Sequence, residues 1–521
     1  MKWLTKRRLA KLAWILGGLM AAVFLLGYAI HLRSKDLLEE YKRKLRAAGE
    51  KLTIAELLPP PVPPERNNAE AFRSIMDVLK RTGDFPYSNM PPVMRMVAPG
   101  KAMVGWRQSQ VRNDDASLEW EQTDLALAPY RAALDFLPPL VEQPVLDFDV
   151  RYQQTPIPYM SHLVSIKQSV RLLSASAVFN LHEGDPASAV TNARIVLAIV
   201  KGLQDERLVI NQLVRTAIAQ MALNLNWELL QSSDLTEEQL VALQRDLTET
   251  EFVRSGEDAL QMERAFISAN VAHLRGSNSP FSTLTLASGG GTSAGSGDWL
   301  DGFKSVWRGL QLKTTETVWK LSWSYSDELR ALKGEQVLLD AMRQARTNGF
   351  FVDALRMQET KLAALGMTNL GDEFANAFRD PNDIDPRRLI SESVGTLKSY
   401  LQRIMTTEAA RQLTLTAVAL KRYRLRHLEF PAELSALVPE FLPAVPRDPV
   451  DGKPLRYSRN ADGTFLLYSV GEDGTDDGGD PASTKTSTTY GWQRGRDWVW
   501  PQPATPEEIQ KFENEHRSGR P

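Results

Sequence analysis

The sequence predicts a mainly α-helical protein, with an N-terminal transmembrane helix, an irregular helical body and a small C-terminal α+β module. Three observations support this fold class. Residues 12–30 form an uncharged apolar run, apolar residues recur at helical spacing through most of residues 160–426, and two short strand-like segments follow residue 454. An apolar content of 43% and a charged content of 24% are ordinary for a globular protein of this length with a sizeable core.

Composition and charge exclude several classes of function. The net charge is −2 and there is no long basic run after residue 46, so we expect no nucleic-acid partner. The chain has no cysteine, which excludes disulfides, thiol nucleophiles and cysteine metal clusters. Its six histidines form no i,i+4 pair, and neither a P-loop nor a dinucleotide glycine fingerprint is present.

The apolar run at residues 12–30 has the length of a membrane span. As a helix it measures about 28 Å, close to the roughly 30 Å hydrocarbon core of a bilayer. Five basic residues and no acid precede it, which favours a cytoplasmic N-terminus, although the residues that follow are also basic. A cleaved signal peptide is the alternative, but Tyr28-Ala-Ile-His31 offers no small-x-small cleavage site. We therefore predict that residues 1–32 are a cytoplasmic tip and an uncleaved single-pass anchor.

A stalk and a proline-rich linker are predicted at residues 33–65. A helical pattern continues to Ala48, and Pro59–Pro64 is expected to run extended, because proline lacks the N–H and restricts the residue before it. A helical body is predicted over residues 66–385. Its first part, residues 66–157, shows helical pieces at 68–80 and 117–137, but their topology stays open.

The clearest helices of the body follow residue 160. An apolar stripe at residues 163–181 ends at Gly184-Asp185-Pro186, where Asp185 is a predicted N-cap and Pro186 the first residue of the next helix. A third helix is predicted at 208–230, and the capping box Thr236–Gln239 opens a fourth that extends to His273. The first hairpin resembles one unit of a tetratricopeptide array, but nothing recurs at 34 residues, so we predict an irregular helical domain.

Residues 276–298 are rich in Gly, Ser and Thr, which predicts a flexible surface loop. They include Gly291-Thr-Ser293-Ala-Gly295, the G-x-S-x-G pattern of serine hydrolases. That motif requires a strand-to-helix turn, and no β-rich run precedes it, so we predict no catalysis at Ser293. Long helical patterns resume at residues 328–366 and 386–426.

The order of motifs in residues 410–500 resembles the C-terminal half of the major pseudopilin of type II secretion systems. The shared features are a helix ending at Tyr423, then Phe430-Pro431, Pro446-Arg-Asp448-Pro449 and Tyr468-Ser469-Val-Gly471-Glu-Asp473-Gly474. The resemblance implies a helix with a small antiparallel sheet and a calcium-binding loop at residues 386–501. It does not imply assembly into a pseudopilus, because no processed leader lies near Leu12 and most of the chain intervenes.

The residues of the loop also favour a hard-cation site. Four aspartates lie within eight residues, interleaved with glycines that let backbone carbonyls turn inward. An EF-hand reading fails because its twelfth position is Thr484, whereas a solvated acidic loop remains the alternative. The resemblance adds one late aspartate beside Trp498. The predicted structural calcium ligands are Asp473, Asp476, Asp477, Asp480 and Asp497.

These inferences predict a bacterial inner-membrane protein that is anchored by residues 12–30, with its N-terminus in the cytoplasm and its bulk outside. Its expected role is binding or scaffolding of an envelope protein, with a calcium-stabilised C-terminal module followed by a polar tail at 502–521. An envelope hydrolase with its site in the helical body is one alternative. A component of a type II secretion-like apparatus is another.

Overall fold

The computed structural model describes residues 6–112, 117–153, 161–277, 317–367, 387–388, 390–483 and 492–518. Ser293, most of the predicted Gly/Ser loop and the predicted helix start at Asp385-Pro386 lie outside these ranges. Within them the protein is mainly helical, and one hydrophobic core extends from Phe72 to Trp500. The helical body and the C-terminal module therefore share a core.

The first helix, α1, runs without interruption over Lys6–Ala47. Among the described residues it is the one helix long and apolar enough to cross a membrane. Its apolar run is exposed, with Trp14 at 83%, whereas Leu38 and Leu45 near its C-terminal end are buried. The segment predicted as a stalk is thus the second half of α1, and it packs against the body.

The remaining helices of the described residues are mostly amphipathic or buried. Their bounds are α2 Ile54–Leu57, α3 Ala69–Thr82, α4 Trp120–Leu127, α5 Arg131–Leu134, α6 Ser161–His182, α7 Pro186–Gly202, α8 Val209–Leu230, α9 Glu237–Thr248, α10 Val253–Gly276, α11 Ser324–Asn348, α12 Val352–Ala364, α13 Ser393–Thr396, α14 Tyr400–His427 and α15 Pro506–Ser518. A π-helical turn at Trp319–Trp323 leads into α11.

Local capping explains where the central helices begin. Asp185 accepts the Ser188 N–H at 3.0 Å and Pro186 is the first residue of α7, as predicted. The predicted capping box at Thr236 opens α9. The single helix predicted from there to His273 is wrong, because the chain breaks between α9 and α10. At the break Phe252 is buried and its N–H donates to Glu408 at 3.0 Å, so tertiary contacts end the first helix.

The long helical pattern at residues 328–366 likewise corresponds to two helices rather than one. Gly349 takes a left-handed conformation (φ 77°) after Asn348 and ends α11, and α12 begins three residues later. The 386–426 pattern is divided in the same way, because residues 397–399 separate α13 from α14. Helix α14 is buried along most of its length and contacts α8 and α9, so it lies at the centre of the body.

Residues 66–157 contribute short strands that periodicity did not reveal. Strands β1 Arg95–Ala98 and β2 Lys101–Met103 are antiparallel, and β3 Val111–Arg112 pairs with β4 Ser117–Leu118. Strand β2 also pairs in parallel with Gln502–Pro503 (β8), the last strand among the described residues. The segment predicted as a polar tail therefore forms β8 and α15, whose Phe512 is buried with Val97 and Met103.

The C-terminal module is a three-stranded antiparallel sheet of β5 Arg456–Arg459, β6 Phe465–Val470 and β7 Asp497–Val499. The predicted turn at residues 460–463 joins β5 to β6, where the Asn460 N–H donates to the Thr464 carbonyl at 2.9 Å. The sheet packs on α14 through β6. The Trp227 indole N–H of α8 donates to the Pro501 carbonyl at 2.9 Å, which fixes the end of the module to the body.

Candidate metal site and adjoining cleft

The acidic loop, residues 471–483, follows β6 and turns sharply at its glycines. Gly474, Gly478 and Gly479 have φ values of 72°, 73° and 81°, a region that side chains other than glycine rarely adopt. At Gly471, a Cβ would overlap the carbonyl oxygen of Arg496. The loop can therefore follow this path only with glycine at these turns, and it brings its backbone against the start of β7.

Asp497, the first residue of β7, is the buried centre of the acidic loop. Its Oδ2 accepts backbone N–H groups from Asp477 at 3.1 Å, Gly479 at 2.7 Å and Asp480 at 3.3 Å. Its Oδ1 is buried and has no hydrogen-bond partner among the described residues. Burial raises the pKa of Asp497 in spite of these three donors. The loop thus wraps its N–H groups around one carboxylate oxygen and leaves the other without a partner.

Asp476 belongs to an ion-pair and hydrogen-bond network on the sheet. Its Oδ1 accepts the Tyr468 hydroxyl at 3.0 Å and its Oδ2 lies 3.2 Å from Arg456 Nε. Desolvation opposes ionisation, but hydrogen bonds from the Gly478 N–H, Tyr468 and Arg456 hold the pKa of Asp476 below its usual value. This carboxylate is therefore already neutralised by protein groups.

The other three predicted ligands do not converge. Asp473 accepts the N–H of Thr475 at 2.9 Å, within its own turn. Asp480 accepts the Ala482 N–H at 2.9 Å and lies 3.5 Å from Arg496 Nη1. Asp477 has an exposed side chain, and only its backbone reaches Asp497. In the described ranges, no group of three or more Asp, Glu or His side chains is placed to hold a metal ion. Among the described residues of this site, the buried carboxylate oxygen without a hydrogen-bond partner is Asp497 Oδ1.

Asp448 has a structural role that sequence reasoning missed. It is fully buried, and its carboxylate accepts from the Ser469 hydroxyl at 2.7 Å and from the N–H groups of Val450 and Val470 at 2.9 Å each. Arg456 Nη1 also donates to Asp448 Oδ2 at 2.9 Å. In the sequence, Asp448-Pro449 stands out only through the pseudopilin resemblance. The available signal is an Asp-Pro pair that is followed by the apolar Val450 and, eight residues after the aspartate, by an arginine.

A cleft of about 800 Å³ adjoins the acidic loop, between α14 and the start of β7. Its charged lining comprises Glu472 and Asp473 from the loop, Arg403 from α14 and Arg496 beside β7. Trp498, which is almost fully buried, also belongs to the lining. Among the described residues that line the cleft there is no histidine. A lining with side chains of both charges fits a polar ligand that carries both signs of charge.

Comparison with known proteins assigns no family to this chain. No family model, no curated protein and no solved structure matches it.

Proposed function

We propose that this protein is a membrane-anchored binding or scaffold protein of the bacterial inner membrane, with its N-terminus in the cytoplasm and its bulk outside. The observation that carries the proposal is that α1 is one uninterrupted helix. Its first half is apolar and exposed, and its second half packs into the body. Such a helix holds the body at a fixed orientation to the bilayer. A fixed orientation suits a protein that presents a surface to a partner.

Ion pairs support the rigid attachment of α1. Lys42 Nζ lies 2.6 Å from the buried Glu328 of α11. Just after α1, Glu50 pairs with Arg343 and, at 2.8 Å, with Arg264 of α10. Although burial opposes ionisation, the two arginines lower the pKa of Glu50 to about 2. These contacts join the end of the anchor to two helices of the body at once.

The cleft is the proposed binding surface, and its occupant would be a polar segment of an envelope protein. Glu472 and Asp473 would pair with basic groups of that segment, and Arg403 and Arg496 with acidic ones. Envelope hydrolase activity and membership of a secretion apparatus are the competing functions.

The proposal includes a pseudopilin-like C-terminal module that calcium stabilises. It is supported by the short antiparallel sheet packed on α14, the glycine turns of the acidic loop and the unpartnered Oδ1 of Asp497. Calcium would bind Asp497 Oδ1 and recruit nearby loop oxygens, with Asp473 and Asp477 supplying carboxylates from exposed positions. The N–H groups around Oδ2 restrict this binding to the opposite side of the carboxylate.

Crosslinking in the native membrane tests the binding role. The full chain should crosslink to a specific envelope protein, and Arg403→Glu should abolish that capture by reversing the charge of the cleft. Arg459→Glu is the matched control, because Arg459 lies on β5, pairs with Glu429 and does not line the cleft. Equal capture by both variants would remove the cleft from the proposal. Capture of secretion components through the cleft would favour the secretion apparatus instead.

A further inference from the structure

The segment Trp319–Tyr325, which we call the juxtamembrane turn, lies against the apolar run of α1. A Cβ placed on Gly27 would be 3.0 Å from the Ser322 hydroxyl oxygen, so the two backbones approach closely there. One turn further along α1, the rings of His31 and Tyr325 lie 4.7 Å apart. The juxtamembrane turn therefore runs beside residues 27–31 of the anchor.

The level of this contact along α1 sets its depth in a bilayer. Gly27 belongs to the apolar run 12–30, and the first lysine or arginine beyond that run is Arg33. At 1.5 Å per residue, Gly27 lies about 9 Å before Arg33 along the helix axis. If residues 12–30 span the hydrocarbon core, Ser322 lies at the boundary between acyl chains and headgroups.

The side chains of the juxtamembrane turn suit that boundary. Leu321 is 49% exposed and Trp323 is partly exposed, and tyrosine and tryptophan concentrate at membrane interfaces. This turn contacts α1 directly, and the apolar run of α1 would itself be covered by lipid. The contact with a lipid-covered helix favours lipid as the occupant over a protein partner.

The juxtamembrane turn is also held rigidly at this level. Trp319 is fully buried, and its indole N–H donates to Asp327 Oδ2 at 3.0 Å. The same carboxylate accepts the N–H groups of Ile390 at 2.8 Å and Ser391 at 2.9 Å. The turn therefore cannot withdraw from the anchor without breaking buried hydrogen bonds of the body.

We propose that the juxtamembrane turn is a second membrane contact, with Leu321 inserted among phospholipid acyl chains next to the headgroups. This inference rests on the proposed function, since it requires that residues 12–30 cross the bilayer. The body would then sit directly on the membrane surface, with no stalk between them. Its tilt would be set by two contacts, the spanning helix and this turn.

Single-cysteine labelling can test this directly, because the chain contains no cysteine. Leu321→Cys, Trp14→Cys and Leu428→Cys would each be labelled with a fluorophore in the full-length protein, in phosphatidylcholine–phosphatidylglycerol vesicles. Quenching by a lipid-borne nitroxide would be compared with quenching by aqueous iodide. Leu428 is the matched control, because it is 87% exposed and lies at the end of α14. All three side chains are exposed, so the substitutions should preserve folding.

We expect lipid quenching at positions 14 and 321, strongest at both for a shallow nitroxide because each lies near an end of the apolar run, and iodide quenching only at 428. Iodide quenching at 321 with lipid quenching at 14 would overturn the second contact and leave the anchor intact. Shielding of 321 from both quenchers would also overturn it, because a protein would then cover the turn. Iodide quenching at 14 would contradict the proposed membrane span itself.

Discussion

Arg456 Nη1 lies 2.9 Å from Oδ2 of the fully buried Asp448. The same guanidinium reaches Asp451 at 2.6 Å and Asp476 at 3.2 Å, so one arginine joins the turn before β5 to the acidic loop after β6. Three of the module's carboxylates are thereby neutralised within the protein. The folded module depends on this arginine whether or not a cation binds nearby.

Replacing Arg456 by methionine should destabilise the protein by about 3–5 kcal/mol, because Asp448 would be left buried without its charge partner. The matched control is Arg459→Met, which removes an exposed pair with Glu429 and should cost about 0–1 kcal/mol. Denaturant unfolding of the full chain in detergent measures both. Equal losses for the two variants would show that the Arg456 network contributes no more than a surface ion pair.

Glu228 should make stability depend on pH. It is buried on α8, and its Oε1 accepts the N–H groups of Met94 at 2.7 Å and Gly105 at 3.1 Å. Burial raises its pKa from 4.5 to about 8. Between these two pH values the folded protein holds a proton that the unfolded chain has lost. The contribution of this proton to the free energy of unfolding is therefore complete below pH 4.5 and declines as pH rises towards 8.

The measurement is the melting temperature of wild type and Glu228→Gln between pH 5 and pH 8. In wild type the free energy of unfolding should decline with rising pH by up to about 1.4 kcal/mol per pH unit. The variant should lack this decline, since glutamine stays neutral throughout. Glu121→Gln, at an exposed position on α4, controls for general effects of the substitution. Parallel pH profiles for wild type and Glu228→Gln would mean that Glu228 is ionised in the folded protein.

Gly471→Ala should disrupt the acidic loop, because its Cβ would overlap the Arg496 carbonyl oxygen. We expect a loss of stability of about 1–3 kcal/mol or more and faster proteolysis within residues 471–483. Gly276→Ala is the control, since its Cβ would meet no atom within 4 Å. If the two variants were cut at the same rate, the close approach of β6 and β7 at Gly471 would be disproved.

Calcium should raise the melting temperature of the full chain relative to chelator. At a free calcium concentration about 100-fold above Kd, binding raises the free energy of unfolding by about 2.7 kcal/mol. Asp473→Ala should reduce the shift and Asp497→Asn should abolish it, and magnesium should substitute poorly because it demands strict octahedral geometry. Asp462→Ala, in the β5–β6 turn, is a matched control outside the acidic loop. A melting curve unmoved by millimolar calcium would leave the loop as a solvated turn.

The helices with local signals were predictable, whereas the parts that depend on distant contacts were not. Asp185-Pro186, Thr236 and the turn at residues 460–463 carry their own capping or turn chemistry, and the structure confirms all three. The break before Phe252 depends on Glu408, more than 150 residues away. Strand β8 exists because β2 offers it an edge, which no local pattern indicates.

The candidate site shows the same division. Clustered aspartates and glycines predicted a sharply turned acidic loop, and the positive φ angles of Gly474, Gly478 and Gly479 agree with it. The sequence contains no information on which carboxylate is buried. Asp497 is central because β7 pairs with β6, and Asp476 is occupied because Arg456 faces it across the sheet. The predicted ligands are not gathered into one group within the described residues, and calcium binding stays a prediction.

The most direct test of the central claim is the compartment that holds the body. A reporter active only outside the cytoplasm, fused after Pro521, should be active in a bacterial host, and the fusion should stay in the membrane after alkaline extraction. A matched reporter that is active only in the cytoplasm should be silent at the same position. Activity of the cytoplasmic reporter alone, or release of the body from the membrane, would contradict an anchored protein that presents its cleft outside the cytoplasm.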